Sequence, residues 1–531
     1  MANIFSRTKG NMSYMFKRKA SLTDRQRKQK RRGWAAALGL LLVLIEAVLT
    51  GLLLYEIFKL NILPDTYLIG IIAFLGVIFL YNFISQFTSA HIIGKILSII
   101  LSGIILFVYL FAVKFGSVLN KVSEPEVNID VVDICVLATD KAITIDDCAA
   151  YTFGYNSASS NSNVTAAFED IKKDVGTSIN TKEYTSWNAL TEALYAGTDI
   201  KAVAINDSML NIILQEDSSF MDKIRIIKTY KYTKQVEVLK SNVNVRKDPF
   251  VIYVSGISSA DGADSALASY ALSDVNILAV VNPETRQIML VTTPRDSYIK
   301  ITNNNGYTGF DKLTHAGVYG IEQSIDALQN LYGIDIDYYV KINFTGAMNV
   351  VDALGGITIN SEIEFTNGNE AAPVSYHFVV GPNECDGEKT IAFTRERMAF
   401  ANGDFQRGRN QAAAISAIID KATSPAILTK YSAVLDAVSD SFLTNIPNSA
   451  ITDLVKSQLG DSMPWNIQMF SISGTTGTRY LQVTNLYNAS IVNPNYDDVN
   501  IAIKLMSRIM NDEIFDMDEY VEELRAENNQ Q

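Results

Sequence analysis

Val275-Asn276-Ile277-Leu278-Ala279-Val280-Val281, then Asn282-Pro283-Glu284-Thr285, then Gln287-Ile288-Met289-Leu290-Val291 and Thr293-Pro294-Arg295-Asp296 form the stretch on which the architecture turns. Two apolar runs rich in branched residues flank a segment whose Pro and Asn are turn residues for a mechanical reason. Pro presets φ, and Asn closes a side-chain turn on its own backbone. The runs read as two neighbouring strands. Arg295 emerges directly from the end of the second, where α/β sheets commonly build their sites.

Working outward, Asp248-Pro249 opens onto a further strand, Phe250 to Ser255. Downstream, the periodicity predicts helices from His315 to Leu331 and Phe344 to Leu354, with Ile357 to Ile359 returning as a strand. A helix from Gln406 to Ala422 places Arg407 and Gln411 four residues apart, hence on one face. Beyond Pro425 a helix is expected from Leu428 to Phe442, with strands at Ile467 to Ile472 and Tyr480 to Val483. This predicts an α/β sandwich with a mixed sheet over residues 248–515, its core at 274–424. Residues 126–246 read as a small α/β accessory domain with a strand at Val131 to Leu137 and a helix at Ser186 to Tyr195. A strand at Lys201 to Ile205 and a helix at Asp207 to Gln215 follow. No catalytic constellation falls in it. The charged, amide-rich residues 516–531 are expected to be a flexible tail.

At the other end, Trp34 to Phe58, Tyr67 to Phe87 and Ile92 to Phe115 each offer the roughly 20 apolar residues that cross about 30 Å of hydrocarbon. Residues 33–115 are therefore read as three transmembrane helices, not a cleaved leader. Glu46, in the middle of the first, is costly in lipid and is expected to face another helix. Residues 1–32 carry eleven Lys or Arg against one acid, Asp24, while the whole chain has a net charge of −12. The basic tail belongs in the cytoplasm and the acidic remainder outside. A basic run beside a span is a topology signal that also touches anionic lipid, and nucleic acid is not an expected partner. Cys135, Cys148 and Cys385 are too scattered for a thiolate metal site, and the spacing of the first two is close enough for a disulfide.

Basic and amide side chains recur in blocks along an otherwise acidic polypeptide: Arg295, Lys312 with His315, Arg395 and Arg397, Arg407 with Gln411. Guanidinium groups match phosphate oxygens in a fixed, forked geometry, so these blocks point to a shared polyanion pocket.

Taken together, Pro294-Arg295-Asp296-Ser297-Tyr298, the run Asp311 to Gly320, Tyr338 to Phe344, Val351 to Thr358, Phe393-Thr394-Arg395-Glu396-Arg397, and Gly403-Asp404-Phe405 with Arg407 to Gln411 resemble, in order, the LytR-CpsA-Psr family of cell-wall ligases. Three spans, an accessory domain and then this domain resemble the capsule-type branch. The resemblance implies transfer of an undecaprenyl-pyrophosphate-linked glycan onto peptidoglycan, assisted by Mg²⁺. It implies that Arg295, Arg395, Arg397, Arg407 and Gln411 serve the reaction and that Asp311, Lys312 and Asp404 contact substrate. Asp274 is the implied metal carboxylate. Where the family carries a second carboxylate and a further arginine, this chain has Ser258 and Leu272, and Asp261 and Asp264 in the linking loop are the candidates to substitute. Two readings follow. One is a membrane-anchored phosphotransferase, and the other a non-catalytic polyprenyl-phosphate-binding scaffold or regulator of polymer assembly.

Overall fold

The computed structural model describes Ser13, residues 15–17 and residues 22–528, apart from residues 89, 123–126, 158–161, 236–240, 259–266, 268–269, 369–370, 425–433, 435–436, 438–440 and 462. It divides into two compact units: residues 1–120 with 448–462, and residues 121–447 with 463–531.

The first unit is built on three helices, Asp24–Leu60, Asp65–Ser85 and His91–Val122, each long and apolar enough to cross a membrane. The first begins at a capping box, where the Thr23 hydroxyl accepts from Gln26 N–H and the Gln26 side chain accepts from Thr23 N–H. Glu46 does face other helices. Its carboxylate accepts Asn82 Nδ2 at 3.2 and 3.0 Å and Ser98 Oγ at 2.5 Å, so one residue ties all three spans together. The helix Asn448–Asp461 joins this unit, with Lys456 Nζ 3.3 Å from Asn61 Oδ1 and Asn448 Nδ2 2.7 Å from Asn120 Oδ1.

The second unit contains two principal sheets. The first, in spatial order Asn180–Tyr184, Thr152–Asn156, Ala202–Asn206, Val127–Leu137 and Ile224–Gln235, is mixed. The second runs Phe442–Thr444, Tyr338–Asn343, Phe250–Ser258, Leu272–Asn282, Gln287–Thr292 and Asn466–Ser471. Its centre is antiparallel, whereas Tyr338–Asn343 pairs parallel to Phe250–Ser258 and Asn466–Ser471 parallel to Gln287–Thr292. The expected hairpin is present: Asn282 Oδ1 accepts from Glu284 and Thr285 N–H, and Arg286 takes a φ of 56° to complete the turn. A single hydrophobic cluster includes Cys135, Trp187 and Ile205 beside the first sheet and Val251, Tyr253, Leu278 and Met289 of the second, so the two sheets share a core.

Several expectations change. The helix expected from His315 to Leu331 is broken into Leu313–Ala316, a 3-10 turn Gly317–Tyr319, and Ile321–Tyr332. Gly320, with φ 130°, makes the break, because a side chain is strained in that conformation. Cys135 and Cys148 are both free thiols. Adjacent strand residues point to opposite faces, so Cys135 packs with Trp187 while Val132, Ile134 and Val136 pack with Cys148 on the other side. The expected tail is a helix, Met517–Asn528, anchored by buried Leu524. Most of the helix expected from Leu428 to Phe442 lies outside the described residues, and Phe442 itself begins a strand.

Candidate functional site

The turn after Gln287–Thr292 is held by its backbone. Thr293 N–H donates to Asn276 O at 2.9 Å and Ser297 N–H to Pro294 O at 3.0 Å. Thr314 N–H donates to Arg295 O at 2.9 Å, and the Thr293 and Tyr332 hydroxyls pair at 2.7 Å. Arg295 and Asp296 are thus presented from a fixed segment. The helix Gly403–Thr423 lies close against the same strand end, because Gly408 has no side chain: a Cβ there would come within 2.9 Å of Thr292 Cγ2. That approach brings Arg407 and Gln411 to the pocket lined also by Asp274, Thr292, Thr293, Arg295, Asp404 and Ser471.

Charges alternate around this pocket. Arg295 Nη1 is 2.9 Å from Asp274 Oδ1 and its Nε 3.8 Å from Asp296 Oδ2. Lys312 Nζ is 3.1 Å from Asp296 Oδ1, and Arg407 Nη2 is 3.0 Å from Asp404 Oδ1. Ser258 Oγ donates to Asp274 Oδ2 at 2.8 Å, and the Thr314 hydroxyl reaches Oδ1 at 3.4 Å. Burial raises the Asp274 carboxyl, but Arg295 and Arg407 together outweigh it and hold it below the usual carboxylate range. Asp296 is likewise held down against burial, chiefly by Lys312 and then Arg295. Asp274 pushes the Arg295 guanidinium up, whereas burial and then the charge of Arg295 push Arg407 down. Arg407 is therefore the less well compensated of the two guanidiniums.

Arg295 Nε and Thr292 Oγ1 are buried without a hydrogen-bond partner among the described residues. Two unmet polar groups beside an under-compensated guanidinium are a demand for an oxygen-bearing anion, since an unpaired buried donor costs about 1–3 kcal/mol. A divalent cation fits less well. Both Asp274 oxygens already accept donors, the position beside it is Ser258, and among the described residues no group of three His, Cys, Asp or Glu could hold a metal.

The site residues expected from sequence separate accordingly. Asp274, Arg295, Asp404, Arg407 and Gln411 line one pocket, and Lys312 joins through Asp296. Arg395 and Arg397 are exposed and do not line it; the Arg395 guanidinium lies 5.0 Å over the Phe344 ring. Asp311 is fully buried with both oxygens engaged: Oδ1 with His315 Nδ1 at 2.7 Å, and Oδ2 with Thr484 N–H at 2.8 Å and its hydroxyl at 2.9 Å. It anchors the fold and does not face the pocket. Asp261 and Asp264 lie outside the described residues. Ser258 and Leu272 are directly paired across neighbouring strands. Thr292, Thr314 and Ser471 were not anticipated. Thr314 lies within the run Asp311 to Gly320, but Ser471 reaches the pocket only through parallel pairing with Thr292, which has no local signal.

The model of the LytR_cpsA_psr family matches residues 218–500. Among curated proteins, the chain is 33% identical over 220 residues to the polyisoprenyl-teichoic acid–peptidoglycan teichoic acid transferase TagU of Enterococcus faecalis, covering 41% of this chain and 68% of that one. It is 31% identical over 255 residues to TagU of Bacillus subtilis, covering 48% and 76%. Solved structures that resemble it include B. subtilis TagV, at 23% identity and TM-score 0.40 over 50% of this chain and 98% of that one. Protein gbs0355 of Streptococcus agalactiae matches at 23% and 0.44, over 51% and 92%.

Proposed function

The chain belongs to the LytR-CpsA-Psr family, and from that membership and its cationic pocket we propose that it transfers a polyprenyl-pyrophosphate-linked glycopolymer onto peptidoglycan. The observation that carries this reading is the pairing of Arg295 and Arg407 around a pocket with unmet buried polar groups. Transfer forms a phosphorus–oxygen bond to an acceptor hydroxyl and breaks the pyrophosphate bridge. The lipid leaves as its monophosphate, and the hydroxyl proton passes to solvent. Such a reaction asks the protein mainly for charge neutralisation and alignment. The pocket is suited to that and not to strong base catalysis, because Asp274 and Asp296 are held below the usual carboxylate range. Arg295 and Arg407 would hold the pyrophosphate, Gln411 and Thr292 would orient it, and Asp274 would keep Arg295 in place. Mg²⁺, if recruited, would lean on phosphate oxygens more than on this carboxylate set.

The lipid is proposed to be undecaprenyl and the polymer capsular or teichoic-acid-like. The basic tail is placed in the cytoplasm and the α/β unit outside a Gram-positive plasma membrane. Asn61, which caps the first span, and Asn120, in the last turn of the helix that forms the third, both contact helix Asn448–Asp461, which supports their lying at one end of the bundle. The Ser258–Leu272 pair favours a second reading, a member that binds the lipid-linked glycan without turning it over. The full chain in detergent, given a polyprenyl-pyrophosphate glycan analogue and peptidoglycan fragments, decides between them. Release of lipid monophosphate, lost in Arg295→Ala and Arg407→Ala, supports transfer. Tight binding with no release supports the second reading.

A further inference from the structure

A cavity of about 380 Å³ lies over the outer edge of the large sheet. Its floor is the strand Asn466–Ser471, which pairs with Gln287–Thr292 on one side and, among the described residues, with no strand on the other. Asn466 N–H donates to Arg286 O at 2.8 Å and Ile472 N–H to Thr292 O at 3.1 Å. These two bonds fix the phase of the ladder: even-numbered residues turn their backbone groups inward, and Ile467, Met469 and Ser471 turn theirs out into the cavity. Among the described residues nothing hydrogen-bonds to those three outward N–H and C=O groups. Consecutive residues Asn466, Ile467, Gln468 and Met469 all line the cavity, as expected of a cleft that runs along an edge and not over one face. Gln468 adds a buried Oε1 with no partner.

An open strand edge in a cleft is the geometry by which an extended peptide adds as a further strand, its main chain supplying affinity. The lining selects its charge. Arg409 is neutralised by Glu362 at 2.8 Å, leaving Asp516 and Asp518 as surplus carboxylates, so the cleft repels an anion and attracts an amine. Ser471 lines this cleft and the anion pocket alike, so the edge leads from one to the other.

We infer that this cleft binds an extended, amine-bearing peptide by strand addition to Ile467, Met469 and Ser471, and that the peptide is the branch that brings the acceptor to the anion pocket. The second half rests on the proposed transfer. Opposite charge in the two neighbouring sites keeps the phosphate-bearing donor out of the cleft and the amine-bearing acceptor in it.

The test uses the full chain in detergent, with fluorescein-labelled Ala-Ala-Lys-Ala-Ala and its Nε-acetyl form as probes and fluorescence anisotropy as readout. Met469→Pro removes one outward N–H without touching an inward one, so the ladder to Gln287–Thr292 is kept. It is expected to weaken peptide binding by about tenfold or more, the loss of one hydrogen bond plus a steric block. Asp518→Asn is expected to weaken the lysine form about threefold and leave the acetyl form unchanged. Both variants keep wild-type affinity for geranylgeranyl pyrophosphate. Absence of peptide binding in the wild type, or undiminished binding in Met469→Pro, overturns the inference. So does an N-acetylglucosamine hexamer that binds in the peptide's place and is lost in both variants. A wild type that binds the peptide but not the pyrophosphate leaves strand addition standing and removes the transfer reading, so the two failures are separate.

Discussion

Asp274 and Arg295 form one ion pair at 2.9 Å, yet the two partners have opposite relations to an incoming anion, so variants on either side of this bond are expected to move in opposite directions. Asp274→Asn keeps the shape and an acceptor oxygen for Arg295 Nη1, while it removes a buried negative charge beside both guanidiniums. At an effective dielectric of about 20, one unit charge a few ångströms away is worth on the order of 1–4 kcal/mol. Taking the low end for a pyrophosphate beyond the guanidinium, metal-free affinity should rise about tenfold, since about 1.4 kcal/mol is a factor of ten. Arg295→Ala instead deletes charge-assisted donors and should lose about 2–4 kcal/mol of anion binding by analogy with removal of an oxyanion donor. The assay is calorimetric titration of the full chain in detergent with geranylgeranyl pyrophosphate in EDTA. Stability runs the other way: Asp274→Asn leaves the 3.8 Å contact to Asp296 as the nearest charged partner of Arg295 and should lower the free chain's melting temperature, which the ligand should then restore more strongly than in wild type. If Asp274→Asn weakens the pyrophosphate as Arg295→Ala does, Asp274 acts as a prop whose charge is immaterial, and the electrostatic account of the pocket is wrong.

Four further outcomes are expected. Gly408→Ala should push the helix Gly403–Thr423 off Thr292, costing about 1–3 kcal/mol in chemical denaturation and weakening pyrophosphate binding although no charged group is altered. Ser258→Asp should place a second carboxylate beside Asp274 and create a Mg²⁺ site detectable by titration of the metal alone, with wild type binding far more weakly; adding Leu272→Arg, directly across the strand pair, should offset the added charge. Glu46→Leu should strand Asn82 and Ser98 inside the membrane unit and lower its unfolding free energy by about 1–2 kcal/mol in mixed-micelle denaturation, while Glu46→Gln should retain most of it. On pH, the folded-state values of Asp274 and Asp296 are depressed, so their contribution is fully present above the unfolded carboxylate value of about 3.9 and is lost as pH falls through the lower folded values. Melting temperature should hold from pH 7 to 5 and fall below about pH 4, with a shallower fall in Asp274→Asn.

What was legible in the sequence follows from the range over which each feature is determined. The hairpin around Asn282 and the helix that carries Arg407 and Gln411 are local, set by turn chemistry and by a period of 3.6, and both are present as expected. The break at Gly320 has no local signal because an apolar period carries through it, while the close approach of Gly317 to Ala271, just ahead of the strand Leu272–Asn282, is a long-range contact. The 13-residue spacing of Cys135 and Cys148 leaves their pairing open, because it says nothing of which face of a strand Cys135 occupies; the fold settles them as free thiols.

The pocket shows the same limit in sharper form. A sequence supplies cationic residue types but not their partners, so Arg295, Arg395, Arg397 and Arg407 looked equivalent. The fold makes them unequal: Arg295 and Arg407 are half-buried against carboxylates, Arg295 with an unmet Nε, and Arg395 is exposed on an aromatic ring. Equally, Ser258 and Leu272 looked like two separate departures, whereas strand pairing makes them one, a carboxylate and a guanidinium that would have faced each other across the sheet and are replaced together. Losing both at once leaves no unpaired charge behind. The anion pocket can therefore persist with Asp274 accepting from both Ser258 and Arg295 Nη1 while Arg295 Nε stays unmet, so the double replacement leaves the fold of the site intact.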